Sequence, residues 1–579
     1  MRTAVCILAI CCCLSAAGAR WLGATAALPD ERPASLGMAV ASRPPAPAGV
    51  RFRVSIGAVD TIGGTTYDRQ ASGPAWRMLV NAPGHGIHAA FMRSSDADTL
   101  FTDRNMRYNF YNDSTGEWSW IDSTNFMGSG FNVFTMRTGY GSIDADTNGV
   151  AVISAHHSTG SGQADYAPIV ARDAVPGYGI FSYVAGEPTL NHYEWPCIGV
   201  GMNGCCHLAM IEASGPGDLY WSRLDSTWHP PVSIGSAGHP THNMATSKVA
   251  GSNKVCITWV ASPASGYGQM PGFYRESPDG GDTWYALVEL GFPPAFSPGS
   301  ETLPSYMTTS LFPFYDMHDR LHIVASVHAY VRDTNYVAPS ELWHFCPGND
   351  PQWARIHRAG AFNPQNSNPT YACRPSIGED AWGGLYVAWE QFDSSNIEPG
   401  PPACARADIF YAQDNGDNGA SWKPGVRITD QDTWTCRFPS AIDHFTGDTF
   451  RILYLIDKHA GSFITGQGPA TNNPVVVHKV PVTVGIAAGK YQVAARLRPT
   501  ASIVRGVLSL AEAPSHKPQA ASLLDISGRK VMDLRLGAND VRALAPGVYF
   551  CRLTAGFASS AEAQAQAQAQ AIRKVVITR

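Results

Sequence analysis

Charge is scarce in this chain. Only 15% of its 579 residues are Asp, Glu, Lys or Arg, and the formal net charge is -5. Binding to nucleic acid needs a basic patch or stripe, so no nucleic-acid partner is expected. Long apolar runs are missing after the first 20 residues, and no transmembrane anchor is expected. There is no Cys-x-x-Cys pair, which removes zinc-ribbon and thioredoxin-like readings, and no cofactor is expected. Of 13 cysteines, Cys6, Cys11, Cys12 and Cys13 lie in the first 20 residues. The other nine are an odd number, and adjacent Cys205 and Cys206 cannot easily bridge each other.

Turn residues and strand formers are plentiful: Gly 56, Pro 41, Tyr 22 and Trp 15. This composition predicts an all-β, turn-rich protein. At this length one ordinary core does not suffice, unless repeats spread it over small units. The start, "MRTAVCILAICCCLSAAGAR", has basic Arg2, an apolar run from Ala4 to about Leu14 and small residues Ala17-Gly18-Ala19. It reads as a secretory signal peptide over 1–19, followed by a Pro/Ala-rich linker over 20–49. A lipoprotein would use an early cysteine, but Ile10 before Cys11 is bulky for that processing.

Two segments recur. The first is a short strand, a Gly/Asp/Asn turn and an alternating apolar strand, as in "WRMLVNAPGHGIHAAFM" and "RPSIGEDAWGGLYVAWE". Seven copies begin near Arg77, Gly141, Trp195, Met244, Leu311, Arg374 and Arg437. The second is an outer hairpin closed by a Trp, as in "FYRESPDGGDTWYALVEL". Trp120, Trp228, Trp284, Trp353 and Trp422 carry it at intervals of about 55 to 70 residues, with one double gap. Four strands per unit at this period predict a β-propeller over 50–484, with seven repeats counted and six blades possible. A β-sandwich array shares the spacing, but ring closure better removes exposed edges. The segment from Val475 to Val482 is expected to close the ring beside the first blade, near Val50 to Ile56.

"SPDGGDTW", and its relaxed copy "NGDNGASW", resemble the Asp-box of sialidase-like propellers. In that family the box is a turn between outer strands, away from the catalytic face, so the resemblance implies architecture. It also directs attention to arginines, because sialidases clamp a carboxylate with an arginine triad. Arg77, Arg374 and Arg437 open the inner strands of the first, sixth and seventh repeats, neighbours in a closed ring. They are the candidate ligand-binding set, since guanidinium offers forked, permanent donors. Asp98 or Asp103 lies about where the family's acidic catalyst falls, and Glu390 is a positional candidate. No Tyr nucleophile with a Glu partner is identifiable; Tyr454 reads as strand core. The competing role for the arginines is tying adjacent blades through backbone carbonyls.

"DADTNG" places Asp144, Asp146 and Asn148 like the first half of a calcium loop, with Gly149 at the sixth position. Ala155 stands where the bidentate Glu should be, and the stretch aligns with the turn of the other repeats. A turn without metal is expected.

After a linker over 485–517, residues 518–579 hold "LLDISGRKV", "PGVYF" and a basic terminal strand. They resemble the C-terminal sorting domain of type IX secretion cargo, a small Ig-like sandwich, which implies the type IX machinery as a partner and delivery to the cell surface. A carbohydrate-binding or adhesion sandwich is the alternative. "AEAQAQAQAQA" reads as a hairpin-loop insertion. The whole chain reads as an exported propeller that binds a glycan or protein ligand; the alternative is a sialidase-type glycoside hydrolase.

Overall fold

Seven four- or five-stranded sheets succeed one another along the chain up to Pro481. The structure is a computed structural model and describes residues 54–482 and 502–577. It leaves out 72, 99, 159–164, 186–191, 214–216, 238–240, 262–270, 294–304, 332–333, 360–371, 402, 432, 505–506, 511–517, 527–528, 536 and 556–569. The inner strands are Leu79–Ala82, Ile143–Ala145, Tyr193–Val200, Asn243–Thr246, Ser305–Tyr315, Ala372–Asp380 and Thr435–Ala441. All seven fall at or near the starts read from the sequence, and the chain is an all-β propeller. We number the blades one to seven in this order.

Closure takes a different partner from the one expected. Asn473–Pro481 is the third strand of blade seven and pairs with Ala58–Thr65, which forms the outermost strand, in a register that sets Ala58 opposite Lys479. The sequence "VRFRVSI" alternates well, whereas the true partner carries Gly63-Gly64. Those glycines are required by packing: a Cβ on Gly63 would lie 2.1 Å from the Phe91 ring of blade one. The ring is closed by the first and last strands of the propeller segment meeting in one sheet.

Side chains lace the inner strands together. Ser142 Oγ accepts from Ile198 N at 2.8 Å, Ser376 Oγ from Ala441 N at 2.9 Å and Ser440 Oγ from Met78 N at 2.9 Å. Further along the same strands, Asp144 Oδ2 accepts from Val200 N at 2.6 Å and Asp443 Oδ1 from Asn81 N at 2.8 Å. Neighbouring inner strands pair only in part, as where Glu379 stands opposite His444 in parallel and where Ile143 N donates to Arg77 O at 3.0 Å, and these oxygens satisfy backbone donors that would otherwise be buried unpaired. The direction of the laces shows that the strands run parallel around the axis. One face of the propeller, the leading face, is where they begin; they end at the trailing face.

The channel is not open. Residues 73–77 cross it: Gly73 O accepts from Arg374 Nε of blade six at 3.1 Å, and Ala75 O from Asn243 Nδ2 of blade four at 2.8 Å. Trp76, 1% exposed, packs with Cys197 of blade three and Met244 of blade four. A large apolar side chain fills the space on the axis and fixes the plug.

The Trp-closed turns hold themselves shut. Asp279 accepts from Thr283 N at 2.8 Å and Thr283 Oγ1 at 2.6 Å, and Ser277 Oγ accepts from Gly281 N at 2.7 Å. Asp417 repeats the pattern with Ser421 N at 3.0 Å and Ser421 Oγ at 2.5 Å. Trp284 packs edge-on to Trp221 of the preceding blade at 5.3 Å. Gly281 has φ +90, and a Cβ there would lie 2.1 Å from Trp221.

A second compact unit spans Gly489–Arg579. Its larger sheet orders Ser502–Val504, Gln570–Ile577, Gly547–Ala555, Pro518–Leu524 and Lys530–Leu534; Val507–Leu510 pairs with Gly537–Asp540. Leu508, Leu523, Leu534, Tyr549 and Cys551 form its core. Strands at 502–504 and 507–510 thus lie within the stretch read as linker. Most of the Ala/Gln-rich insertion lies outside the described residues. Among the described residues, no helix is long and apolar enough to cross a membrane.

Candidate functional site

The expected arginine clamp does not assemble. Arg374 Nη1 lies 2.5 Å from Glu390 Oε1 and Arg437 Nε 3.2 Å from Glu390 Oε2, with Phe438 N donating to the same Oε2 at 2.7 Å. Arg374 and Glu390 are wholly buried, and Phe438 lies under both guanidiniums at 4.8 and 4.9 Å. Burial pushes the Glu390 carboxyl up, but Arg437, Arg374 and the Phe438 amide outweigh it and bring it down to about 2. Glu390 is therefore the carboxylate that two of the three arginines hold. It ties blade six to blade seven.

Arg77 belongs to neither partner. The laces show that it occupies the position of Ser142, Ser376 and Ser440, because Met78 N and Ile143 N bond where the residue after each serine's neighbour does. Arg374 instead stands two positions earlier, with Tyr140, Trp195 and Phe438, at left-handed φ values of 49 to 59°. The pairing register slips there, between Glu194 and Cys197, Cys373 and Ser376, and Arg437 and Ser440. Each slip is a bulge that inserts residues, and this offsets any alignment on the first arginine.

The other candidates are also accounted for. Asp98 is exposed and accepts from Leu100 N at 2.9 Å. Asp103 is locked by Arg93 at 3.0 Å, Ser95 N at 2.9 Å and Ser94 Oγ. Asp144 pairs with Lys248 at 2.8 Å. Asp146 binds Arg172 and accepts from Asn148 N and Val150 N, both at 2.9 Å, closing the turn. Asp316 and Asp380 hold the matching turns of blades five and six in the same way. Asn148 is thus a turn residue, and among the described residues no group of three or more acidic, His or Cys side chains could hold a metal. Tyr454 is core, its hydroxyl 3.1 Å from His478 Nδ1.

A different cluster occupies the leading face between blades one, two and three. Arg104 Nη1 donates to Tyr67 Oη at 3.1 Å, and its guanidinium lies over the rings of Tyr67 and Tyr140 at 5.2 and 5.1 Å. The two hydroxyls meet at 2.5 Å. Burial first, then Tyr67, push the Tyr140 phenol well above its ordinary value, so it stays protonated. His156 stacks on Tyr166 at 4.7 Å and accepts from Trp195 N at Nδ1, which leaves the proton on Nε2. Burial, then Arg104, Arg137 and His157, hold His156 well below its ordinary value; it is a neutral donor. Arg137 is exposed and anchored by Phe101 O at 2.9 Å, within electrostatic reach of Arg104, Tyr67 and Tyr166. Arg69, half-buried, acts on Tyr140.

Tyr67, Arg104 and His156 are thus the buried members of the cluster, Arg69, Tyr140, Tyr166 and Trp195 are half-buried, and Arg137 is exposed. Among the described residues, neither Arg104 nor Arg137 has a carboxylate within ion-pair distance. Arg69, Arg104 and Arg137 lie before the first inner strand, between strands two and three of blade one, and between blades one and two. All three are loop or loop-end positions on the face where propellers bind ligands, which is the signal that could have found them.

Beside this cluster, Asp68 accepts from Ser462 Oγ at 3.2 Å and from Phe463 N. Burial raises its carboxyl to about 6, against the pull of those bonds and Arg437. Asp457, also buried, is raised by burial and by Asp68.

No protein-family description and no curated protein matches the chain. Among solved structures, it is similar to a PL25 polysaccharide lyase, an ulvan lyase bound to -[GlcA(1-4)Rha3S]-. That match has 12% identity over 73% of this chain and 96% of that one, with a TM-score of 0.43. A Penicillium chrysogenum alpha-L-arabinanase shares 13% identity over 59% and 93%, with a TM-score of 0.35. A Hadza microbial sialidase shares 13% over 65% and 73%, with a TM-score of 0.33. All three are named for action on carbohydrates, and the likeness is low in both sequence and superposition.

Proposed function

We propose that this protein is an exported propeller that binds acidic glycans on its leading face. The observation that carries the reading is Arg104 seated between Tyr67 and Tyr140, with Arg137 beside it and, among the described residues, no carboxylate paired to either. Guanidinium donors above aromatic rings suit a sugar that presents an anionic group and an apolar face. The plugged axis and the absorption of Glu390 by two arginines favour binding over turnover. The test is a glycan array comparing uronate-, sialate- and sulfate-bearing glycans with neutral ones, for wild type and for Arg104→Met.

Delivery belongs to the same proposal: export by the N-terminal signal, and passage to the cell surface through the type IX machinery by means of residues 518–579. The support is the basic and apolar start and the ordered C-terminal elements of the sequence. A glycoside hydrolase is the second reading, favoured by Asp68, a buried carboxyl beside the cluster that burial raises to about 6, toward the range of a general acid. Asp68 is bound to backbone amides, however, and the first reading predicts no release of sugar from a sialoside analogue.

A further inference from the structure

The far end of the channel carries a site of its own. Where the inner strands end, a cavity of about 450 Å³ opens at the trailing face, walled by Val80, Pro83, Val200, Met202 and Val249. Beside it lies a much smaller gap of about 20 Å³, room for one water-sized group, lined by Arg77, Asp144, Lys248 and Asp443; the two spaces share Lys248, Asp443 and His444. The Arg77 guanidinium lies over Phe312 at 5.1 Å and Phe314 at 6.0 Å. Its Nη1 is buried and has no hydrogen-bond partner. Among the described residues it forms no ion pair.

The other charges here are occupied. Lys248 Nζ donates to Asp144 at 2.8 Å, Val200 O at 2.8 Å and Ala145 O at 3.0 Å. Asp316 is held by Arg320 at 2.5 Å and Glu379 by His444 at 3.3 Å. Asp443 Oδ1 accepts from Asn81 N at 2.8 Å, and its second oxygen takes no hydrogen bond among the described residues. The site therefore offers one unfilled guanidinium donor and one unfilled carboxylate acceptor between apolar walls. An anion would meet Asp443 and Asp144, and a cation would meet Arg77 and Lys248. A hydroxyl fits both, because it accepts from Arg77 and donates to Asp443. The larger cavity has the volume of pockets which enclose small molecules, and the gap beside Arg77 has room for one hydroxyl.

We propose that the trailing-face cavity binds one uncharged, hydroxyl-rich unit, a neutral sugar, with a single hydroxyl seated in the gap between Arg77 and Asp443. This does not rest on the leading-face reading, since the plug separates the two ends.

The test is saturation-transfer NMR and calorimetry with D-glucose, D-galactose, D-mannose and L-rhamnose as probes, and D-glucuronate as the charged control. Wild type is expected to bind at least one neutral probe at millimolar concentration or below. Asp443→Asn keeps the acceptor for Asn81 N, and Ala250→Trp fills the mouth from an exposed turn position. Each should weaken binding about tenfold or more. Arg104→Met, on the opposite face, should leave it unchanged. Failure of all four neutral probes, tighter binding of glucuronate at this site, binding that survives Ala250→Trp, or binding lost in Arg104→Met would each overturn the proposal.

Discussion

Arg374 and Glu390 form a wholly buried ion pair at 2.5 Å, and Arg437 closes it from the other side at 3.2 Å. Removing one partner of such a set leaves an uncompensated charge in the interior. Arg374→Met should therefore lower stability by about 3 kcal/mol or more, read as a fall in the denaturation midpoint. Arg77→Met removes a guanidinium that, among the described residues, takes no hydrogen bond at Nη1 and forms no ion pair, and it should leave the melting temperature nearly unchanged. Equal losses in the two variants would contradict the assignment of roles.

Acid titration should expose the same pair. The Glu390 carboxyl is depressed in the folded state, so its contribution is present above the ordinary Glu range and is lost as pH falls from about 4.5 toward 2. Glu390→Gln should be less stable than wild type at pH 7, with the gap narrowing as pH drops through that window. A constant gap would show that charge is not the cause.

Asp68 carries the opposite sign. Its folded carboxyl is raised to about 6, so its contribution is full below the ordinary Asp value and is lost as pH rises through 6. Asp68→Asn keeps an acceptor for Phe463 N and relieves repulsion with Asp457. It should raise the melting temperature at pH 8 and have little effect at pH 4. A destabilised variant at pH 8 would point to a needed negative charge.

Gly281 tests the Trp-closed turn. With φ at +90 and Trp221 where a Cβ would sit, Gly281→Ala should destabilise the propeller by about 2 kcal/mol or more. An unchanged denaturation midpoint would mean that this turn can move away from blade three.

The sequence made the repeat visible because its devices are local. Asp279 and Asp417 close turns within five residues, and Trp284 and Trp422 follow at fixed offsets. The all-β class and the inner-strand starts followed from those devices. The site did not, for two physical reasons. Bulges at Trp195, Arg374 and Phe438 shift the register, so Arg77, Arg374 and Arg437 look equivalent in text and occupy three different positions in space. The plug at 73–77 is held by blades three, four and six, which meet it only when the ring closes, and the cluster of Arg69, Arg104 and Arg137 is made by loops of blades one and two whose meeting no spacing in the chain encodes. Glu390 was named from its position and proved to be a partner of the arginines.

Secretion is testable apart from binding. Deleting the second compact unit, Gly489–Arg579, should leave a folded propeller that stalls before the cell surface. Normal surface display of the truncated protein would remove the sorting role.

The central claim is an anion-selective sugar site on the leading face, and calorimetric titration of wild type and Arg104→Met with one acidic oligosaccharide tests it most directly. The acidic glycan should bind wild type more tightly than its neutral counterpart, weaken as salt rises, and lose about tenfold or more in affinity in the variant. Binding that is equal for the neutral glycan, indifferent to salt and unchanged in Arg104→Met would contradict it.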